Sequence, residues 1–254
     1  MDNNNHKSII KPKERYIEIS SGDMTRIAVI SKETTNSQNI HLAIATIPPG
    51  KSSSAHFHVN CESAIYVLSG NGIFIAGEKL DKHNKINEGD FIYVPPNAPH
   101  KPVNTNNDNP LILIVSRNQP TEIVKEIPDE KELNKIKNPV DCSIINLITE
   151  NKSNSSTKKI DGVTSTNADT KNISMTKLII EPSKTTSAHN HANYESAIFV
   201  VKGKGLFISN EGLDSHQNIE KDDFIYISKN LNHKISNTDS INQLEIIIAR
   251  NIRI

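Results

Sequence analysis

Shifted by 133 residues, the chain lies over itself without a single insertion. Between Pro49–Asn118 and Pro182–Asn251, 35 of 70 positions are identical, far above what chance or compositional bias gives. The block His56-Phe57-His58-Val59-Asn60-Cys61-Glu62-Ser63-Ala64-Ile65 falls on His189-Asn190-His191-Ala192-Asn193-Tyr194-Glu195-Ser196-Ala197-Ile198. The same shift carries Gly70 to Gly203, His100 to His233, Asn104 to Asn237 and Arg117 to Arg250. A repeat mis-assigned would mis-assign the whole fold. The 254 residues are therefore read as one domain duplicated, not as one large domain.

Each copy has the period of strands. Runs such as Ile40 to Ile47, Ala64 to Leu68, Ile73 to Ala76, Phe91 to Val94 and Leu111 to Val115 are separated by Gly, Pro, Asn and Asp clusters. That pattern predicts an all-β sandwich or barrel. Copy two repeats it through Ser174 to Ile180, Ala197 to Val201, Leu206 to Ser209, Phe224 to Ile227 and Leu244 to Ala249. The 38 Ile against 12 Leu agree, because β-branched side chains suit pleated strands. Gln119 to Pro139 reads as a linker with one short helix, Asp129 to Lys137. Residues 151 to 170 read as an exposed polar loop without function, at the entrance to the second barrel. The expected division is 1–120 for the first barrel, 121–140 for the linker and 141–254 for the second barrel.

Composition narrows the function. With 29 basic and 29 acidic side chains and 4% aromatic residues, the chain lacks the cationic surface and stacking platforms of nucleic-acid binders. Two cysteines, Cys61 and Cys142, cannot build a disulfide framework or a four-sulfur site, so any metal falls to His and carboxylate. Met1 to Ser20 is polar and broken by Pro12, unlike a secretory leader. No window approaches the apolar length of a membrane span, and a soluble cytoplasmic protein is expected.

Six of the ten histidines recur in register: His56, His58 and His100, then His189, His191 and His233. In a strand, residues two apart share a face, so His-x-His presents two imidazoles together. A third arrives from a later strand, and Glu62 or Glu195 follows four residues after the second His. Three neutral imidazoles and a carboxylate suit a divalent first-row transition metal and leave coordination positions open.

These residues resemble the cupin motifs, and the chain is similar to bicupins over nearly its whole length. Gly50, His56, His58, Glu62 and Gly70 follow the first motif, with seven residues instead of about six before the last Gly. Gly89, Pro95, Asn97, His100 and Asn104 follow the second, Asn97 standing where the motif has Gly. In copy two Ser183, Asp222, Ser228 and Asn230 replace Gly, Gly, Pro and Gly, all at turns. The resemblance implies two tandem jelly-roll β-barrels with pseudo-two-fold symmetry. It also implies a divalent metal (Mn, Fe, Ni or Zn), up to one per barrel, held by His56, His58, Glu62 and His100 and by His189, His191, Glu195 and His233.

Bicupins with such motifs include oxalate decarboxylases, quercetin-type dioxygenases and ureidoglycine aminohydrolases. The expectation is a metal-dependent enzyme on a small oxygen-rich metabolite, with a dioxygenase placed ahead of a decarboxylase or isomerase. The alternative is a non-catalytic ligand-binding, sensory or storage cupin. The partner is a small molecule, not nucleic acid or membrane; homo-oligomerisation stays open. No acid or base is assigned: Glu33, Glu78 and Glu211 read as solvated loop acids. Cys61 reads as a structural thiol, His83 and His216 as surface residues, His41 as packed, and Tyr93 and Tyr226 as core. Arg117 and Arg250 are read as structural ion-pairing or hydrogen-bonding residues, with an anion contact left open. If only one copy is functional, the altered turns nominate the second as the structural one.

Overall fold

The computed structural model describes residues 8–146 and 156–252. It is a pair of antiparallel β-barrels, each made of a large and a small sheet. In the first barrel the large sheet runs, in spatial order, Ser143–Ile145, Phe91–Val94, Ser63–Ser69, Leu111–Arg117, His41–Ile47, Met24–Ile30 and Tyr16–Ser21. Its small sheet runs Val124–Glu126, His56–His58, His100–Asn104, Asn71–Ala76 and Lys82–Asn87. The second barrel has a six-stranded sheet, Ile9–Ile10, Phe224–Ile227, Ser196–Lys202, Leu244–Asn251, Ile173–Ile180 and Thr157–Val163. Against it stands a three-stranded sheet, Ser215–Glu220, Lys204–Ser209 and His233–Asn237.

Strand pairing crosses the boundaries expected from the repeat at two places. Ile9–Ile10, assigned by sequence to barrel one, pairs with Ile225 and Phe224 of barrel two. Ser143–Ile145, assigned to barrel two, pairs with Phe91 to Tyr93 of barrel one. Each barrel thus has a sheet edge covered by a segment from beyond its own repeat, which removes an exposed row of backbone donors and acceptors. Of the polar stretch 151–170, residues 151–155 lie outside the described residues, and Thr157–Val163 is not a loop but a strand paired along Ile173–Ile180. The linker helix is shorter than expected: Asp129 caps Glu130–Leu133 by accepting from the Glu132 N–H at 2.9 Å. A second short helix, Lys32–Thr35, has no counterpart in the sequence reading.

The exchanged turn residues adopt the conformation that the motif glycines supply. Gly89 has φ +95°, and its repeat partner Asp222 has φ +72°. Asn97 and Asn230 both lie near +60°, at +63° and +61°. The left-handed region is open to Asn and Asp at modest cost, so the second barrel keeps its turns.

Three cores result. One fills barrel one around Ile65, Val67, Phe74 and Leu113. One fills barrel two around Ile198, Val200, Phe207 and Ile246. The third lies between the outer faces of the two large sheets, where Ala64, Tyr66, Phe91 and Tyr93 meet Ala197, Phe199, Phe224 and Ala249. Strand alternation explains the division: in Ser63–Ser69 the odd residues face the barrel interior and the even residues face the other barrel. Among the described residues no helix is long and apolar enough to cross a membrane.

Phe91 is fully buried in the shared core, beside Tyr66 at 5.0 Å between ring centroids. We expect Phe91→Ala to lower stability by ~3–5 kcal/mol, read as a lower urea midpoint. A midpoint unchanged from wild type would mean that the inter-barrel core does not stabilise the fold.

Candidate metal centres

In barrel one the imidazoles of His56, His58 and His100 converge, each offering one nitrogen within 4.8 Å of the others. His56 and His58 come from the same strand, and His100 is paired directly with His56 in the register. Ring orientation is set from behind. The His56 Nδ1 lies 2.8 Å from the Ser54 carbonyl, and the His100 Nδ1 lies 2.9 Å from the Ala98 carbonyl. With those nitrogens donating, Nε2 of each ring is left as the lone-pair donor, the usual orientation of metal-binding imidazoles. His58 has a carboxylate behind it instead, with Nδ1 at 3.1 Å from Glu122 Oε2.

Barrel two repeats the arrangement with His189, His191 and His233, again within 4.8 Å. The Nδ1 atoms of His189 and His233 lie 2.9 and 2.8 Å from the carbonyls of Ser187 and Leu231. Burial favours the neutral form of His56, His58, His100, His191 and His233. It lowers His58 to about 4, His191 to about 3 and His233 to about 4, and it holds His56 and His100 below the ordinary histidine value as well. Neutral imidazole is the form that binds a metal. The six histidines therefore fit a divalent ion, one per barrel.

Glu62 and Glu195, expected as the fourth ligands, are not brought into these groups. The Glu62 carboxylate turns toward the other barrel and accepts from the Asn172 N–H and Nδ2, both at 2.9 Å. Glu195 does the reciprocal thing. It accepts from the Asn39 N–H at 2.8 Å, the Gln38 N–H at 3.1 Å and the Tyr226 hydroxyl at 2.9 Å. Asn39 and Asn172 are themselves 133 residues apart, so the two glutamates form a pseudo-symmetric clasp between the barrels.

Ser63 and Ser196, one position further along, face the cavities instead. Their buried hydroxyl oxygens have no hydrogen-bond partner among the described residues. A one-residue change in register sends every side chain of a strand to its other face. The signal was present in the sequence as the extra residue between Glu62 and Gly70. It places Ser63, not Glu62, at the motif's usual distance before the glycine.

The cavity of barrel two has a volume of about 200 Å³ and is lined by the three histidines, Ser196, Thr186, Arg250 and aliphatic side chains including Ile198 and Ile248. That of barrel one is about 30 Å³ and is lined by its three histidines, Ser63, Arg26, Arg117 and a similar apolar wall. Arg26 and Arg117 both pair with Glu122, Arg117 Nε at 2.7 Å from Oε2. Burial pushes the Glu122 carboxyl up, but the Arg117 charge, the His58 contact and the Arg26 charge outweigh it and hold the group well below the usual carboxylate range. Glu122 escaped the sequence reading because it lies in the linker, outside the repeat.

Other side chains singled out in the sequence lie where their residue types suggest. Cys61 is buried, and burial pushes its thiol up to about 11. His83 and His216 are exposed on strands Lys82–Asn87 and Ser215–Glu220. His41 is buried opposite Arg117 and does not line the cavity. Glu33, Glu78 and Glu211 are exposed. Tyr93 lies in the shared core.

The family model for the Cupin domain matches residues 43–116 and 176–248. The chain belongs to the cupin family and carries two cupin domains, which makes it a bicupin. Among solved structures it is similar to the oxalate decarboxylase of Lactobacillus farciminis in its formate complex. That likeness has a TM-score of 0.73 at 16% identity, covering 98% of this chain and 87% of that one. It is also similar to the oxalate decarboxylase of Bacillus subtilis at pH 4.6, with a TM-score of 0.70 at 15% identity over 96% of this chain and 75% of that one. Uncharacterized protein MJ1618 of Methanocaldococcus jannaschii is 37% identical over 67 residues, 26% of this chain and half the length of that relative.

Two outcomes are expected. Glu62→Gln and Glu195→Gln should keep the wild-type metal content while lowering stability by ~1–3 kcal/mol, whereas His58→Ala and His191→Ala should each lose about one equivalent by elemental analysis. Loss of metal in the glutamate variants would return them to the ligand set. In metal-free protein, stability should fall as pH drops from about 6.5 toward 4, because the unfolded histidines take up protons first. Above that window these groups contribute no pH dependence, and urea titrations across it provide the check.

Proposed function

We propose that this bicupin is a metal-dependent enzyme acting on a small, oxygen-rich carboxylate. One divalent ion is held by His56, His58 and His100, and a second by His189, His191 and His233. The observation that carries the reading is the convergence of three imidazoles, an unpartnered hydroxyl and a guanidinium on one apolar-walled cavity. A bound ion supplies Lewis-acid polarisation of a chelated carboxylate. Three neutral nitrogen donors leave the full positive charge on the site, which favours an anionic ligand. The arginines add a forked donor matched to carboxylate oxygens. Ser63 and Ser196 offer hydroxyl donors to a ligand oxygen, and the aliphatic walls exclude water.

We place decarboxylation ahead of oxygenation. The similar solved structures are oxalate decarboxylases, and the donor set lacks the carboxylate of the two-His-one-carboxylate arrangement common in iron oxygenases. One observation favours non-catalytic binding instead: among the described residues no Asp or Glu lines either cavity as a ready proton donor.

The discriminating experiment loads purified protein with Mn, Fe, Ni or Zn. It then measures carbon dioxide release and oxygen uptake across a panel of small carboxylic acids and enediols. Metal-dependent carbon dioxide release, lowered at least about 100-fold in the double variant His58→Ala/His191→Ala, is expected. Oxygen uptake would reverse the order of the two reactions, and ligand binding with no turnover would favour the binding protein.

A further inference from the structure

The two barrels differ in what answers their cavity arginines. In barrel one the linker strand Val124–Glu126 pairs along His56–His58 and adds a fifth strand at the cavity mouth. The residues just before it bring Glu122 in behind His58, with 8% of its side chain exposed. This single carboxylate contacts Arg26, Arg117 and His58, so the cations facing the cavity already have an anion. The space left is about 30 Å³, room for roughly one or two waters.

Barrel two has no such strand among the described residues, and its small sheet has three strands. His189 is exposed where His56 is buried. Arg250, the repeat partner of Arg117, lines the 200 Å³ cavity beside Ser196, to which it is paired in the register. Its Nε is buried without a hydrogen-bond partner, and none of the described carboxylates forms an ion pair with it. A half-buried guanidinium whose Nε is out of reach of water and has no counter-anion is costly, and a bound anion lowers that cost. Burial disfavours the Arg250 charge, and the phenol of Tyr194, stacked on His191 at 4.6 Å between ring centroids, offsets this in part.

We infer that Glu122 is a tethered carboxylate that satisfies the anion subsite of barrel one, and that barrel two, through Arg250, is the barrel that takes a free small carboxylate. This rests on the reading of the cavities as carboxylate sites, and it assigns that role to one of them. It also reverses the nomination made by the altered turns. Those turns fold as glycine turns do, while the barrel with the motif's own glycine turns is the one whose arginines are neutralised by its linker.

The test uses full-length protein stripped of metal, so that it does not depend on metal loading. Formate is titrated at pH 7.5 and followed by the imidazole resonances of the six histidines. Wild type should bind one formate per chain, moving the signals of His191 and His233 and leaving those of His56, His58 and His100 in place. Arg250→Met should weaken binding at least tenfold, with partial recovery in Arg250→Lys. Glu122→Ala, which removes the charge and vacates the space the side chain fills, should gain a second formate, now moving the barrel-one signals. Formate entering barrel one of wild type, undiminished binding in Arg250→Met, or no second site in folded Glu122→Ala would each overturn the inference. If Glu122→Ala does not fold, the Arg250 variants decide alone. If the stripped protein binds formate in this pattern but takes up no metal when Mn, Fe, Ni or Zn is added back, the metal-dependent enzyme fails and the anion assignment stands.

Discussion

Side-chain alternation along the two central strands governs this molecule. Ser63–Ser69 and Ser196–Lys202 each serve two cores, one inside a barrel and one between the barrels. Because alternation has a period of two, there is no intermediate arrangement: a residue belongs to one face or the other. Glu62 and Glu195 fall on the inter-barrel face, and Ser63 and Ser196 on the metal face. The same register therefore sets the clasp between barrels and the charge of each metal centre. A carboxylate would cancel part of the ion's charge; a hydroxyl leaves it intact.

Duplication built the frame, and the segments outside the repeat made the halves unequal. Ile9–Ile10 and Ser143–Ile145 extend the two large sheets in matching ways and preserve the pseudo-symmetry. Val124–Glu126 does not: it covers the small sheet of barrel one alone among the described residues. With it comes Glu122, which neutralises Arg26 and Arg117 and stands behind His58. Two identical triads are thus set in cavities of different size and charge.

Much of this was legible from residues. The strands, the duplication and the six histidines could be read because alternation, turn residues and self-similarity are local signals. The facing of the two glutamates is not legible in the sequence motif, for a physical reason. Motif spacing counts residues, but facing depends on where the strand begins to pair, and one extra residue before Gly70 moves that point. Thr157–Val163 was hidden as well, since Asp161 and Gly162 interrupt the apolar pattern. In the structure Gly162 is required, because a Cβ there would stand 2.3 Å from the Phe91 ring.

The sequence by itself determined two β-barrels of one ancestral unit, each with three imidazoles placed to meet. Those features depend on neighbours along the chain and on the chain's likeness to itself. Tertiary structure alone decided which barrel has the larger cavity and which has its arginines neutralised. That outcome depends on a buried carboxylate reaching two arginines across the fold, Glu122 to Arg26 and Arg117, while Arg250 has none among the described residues. Ion pairs between residues distant in sequence leave no periodic trace, so only the folded chain shows them.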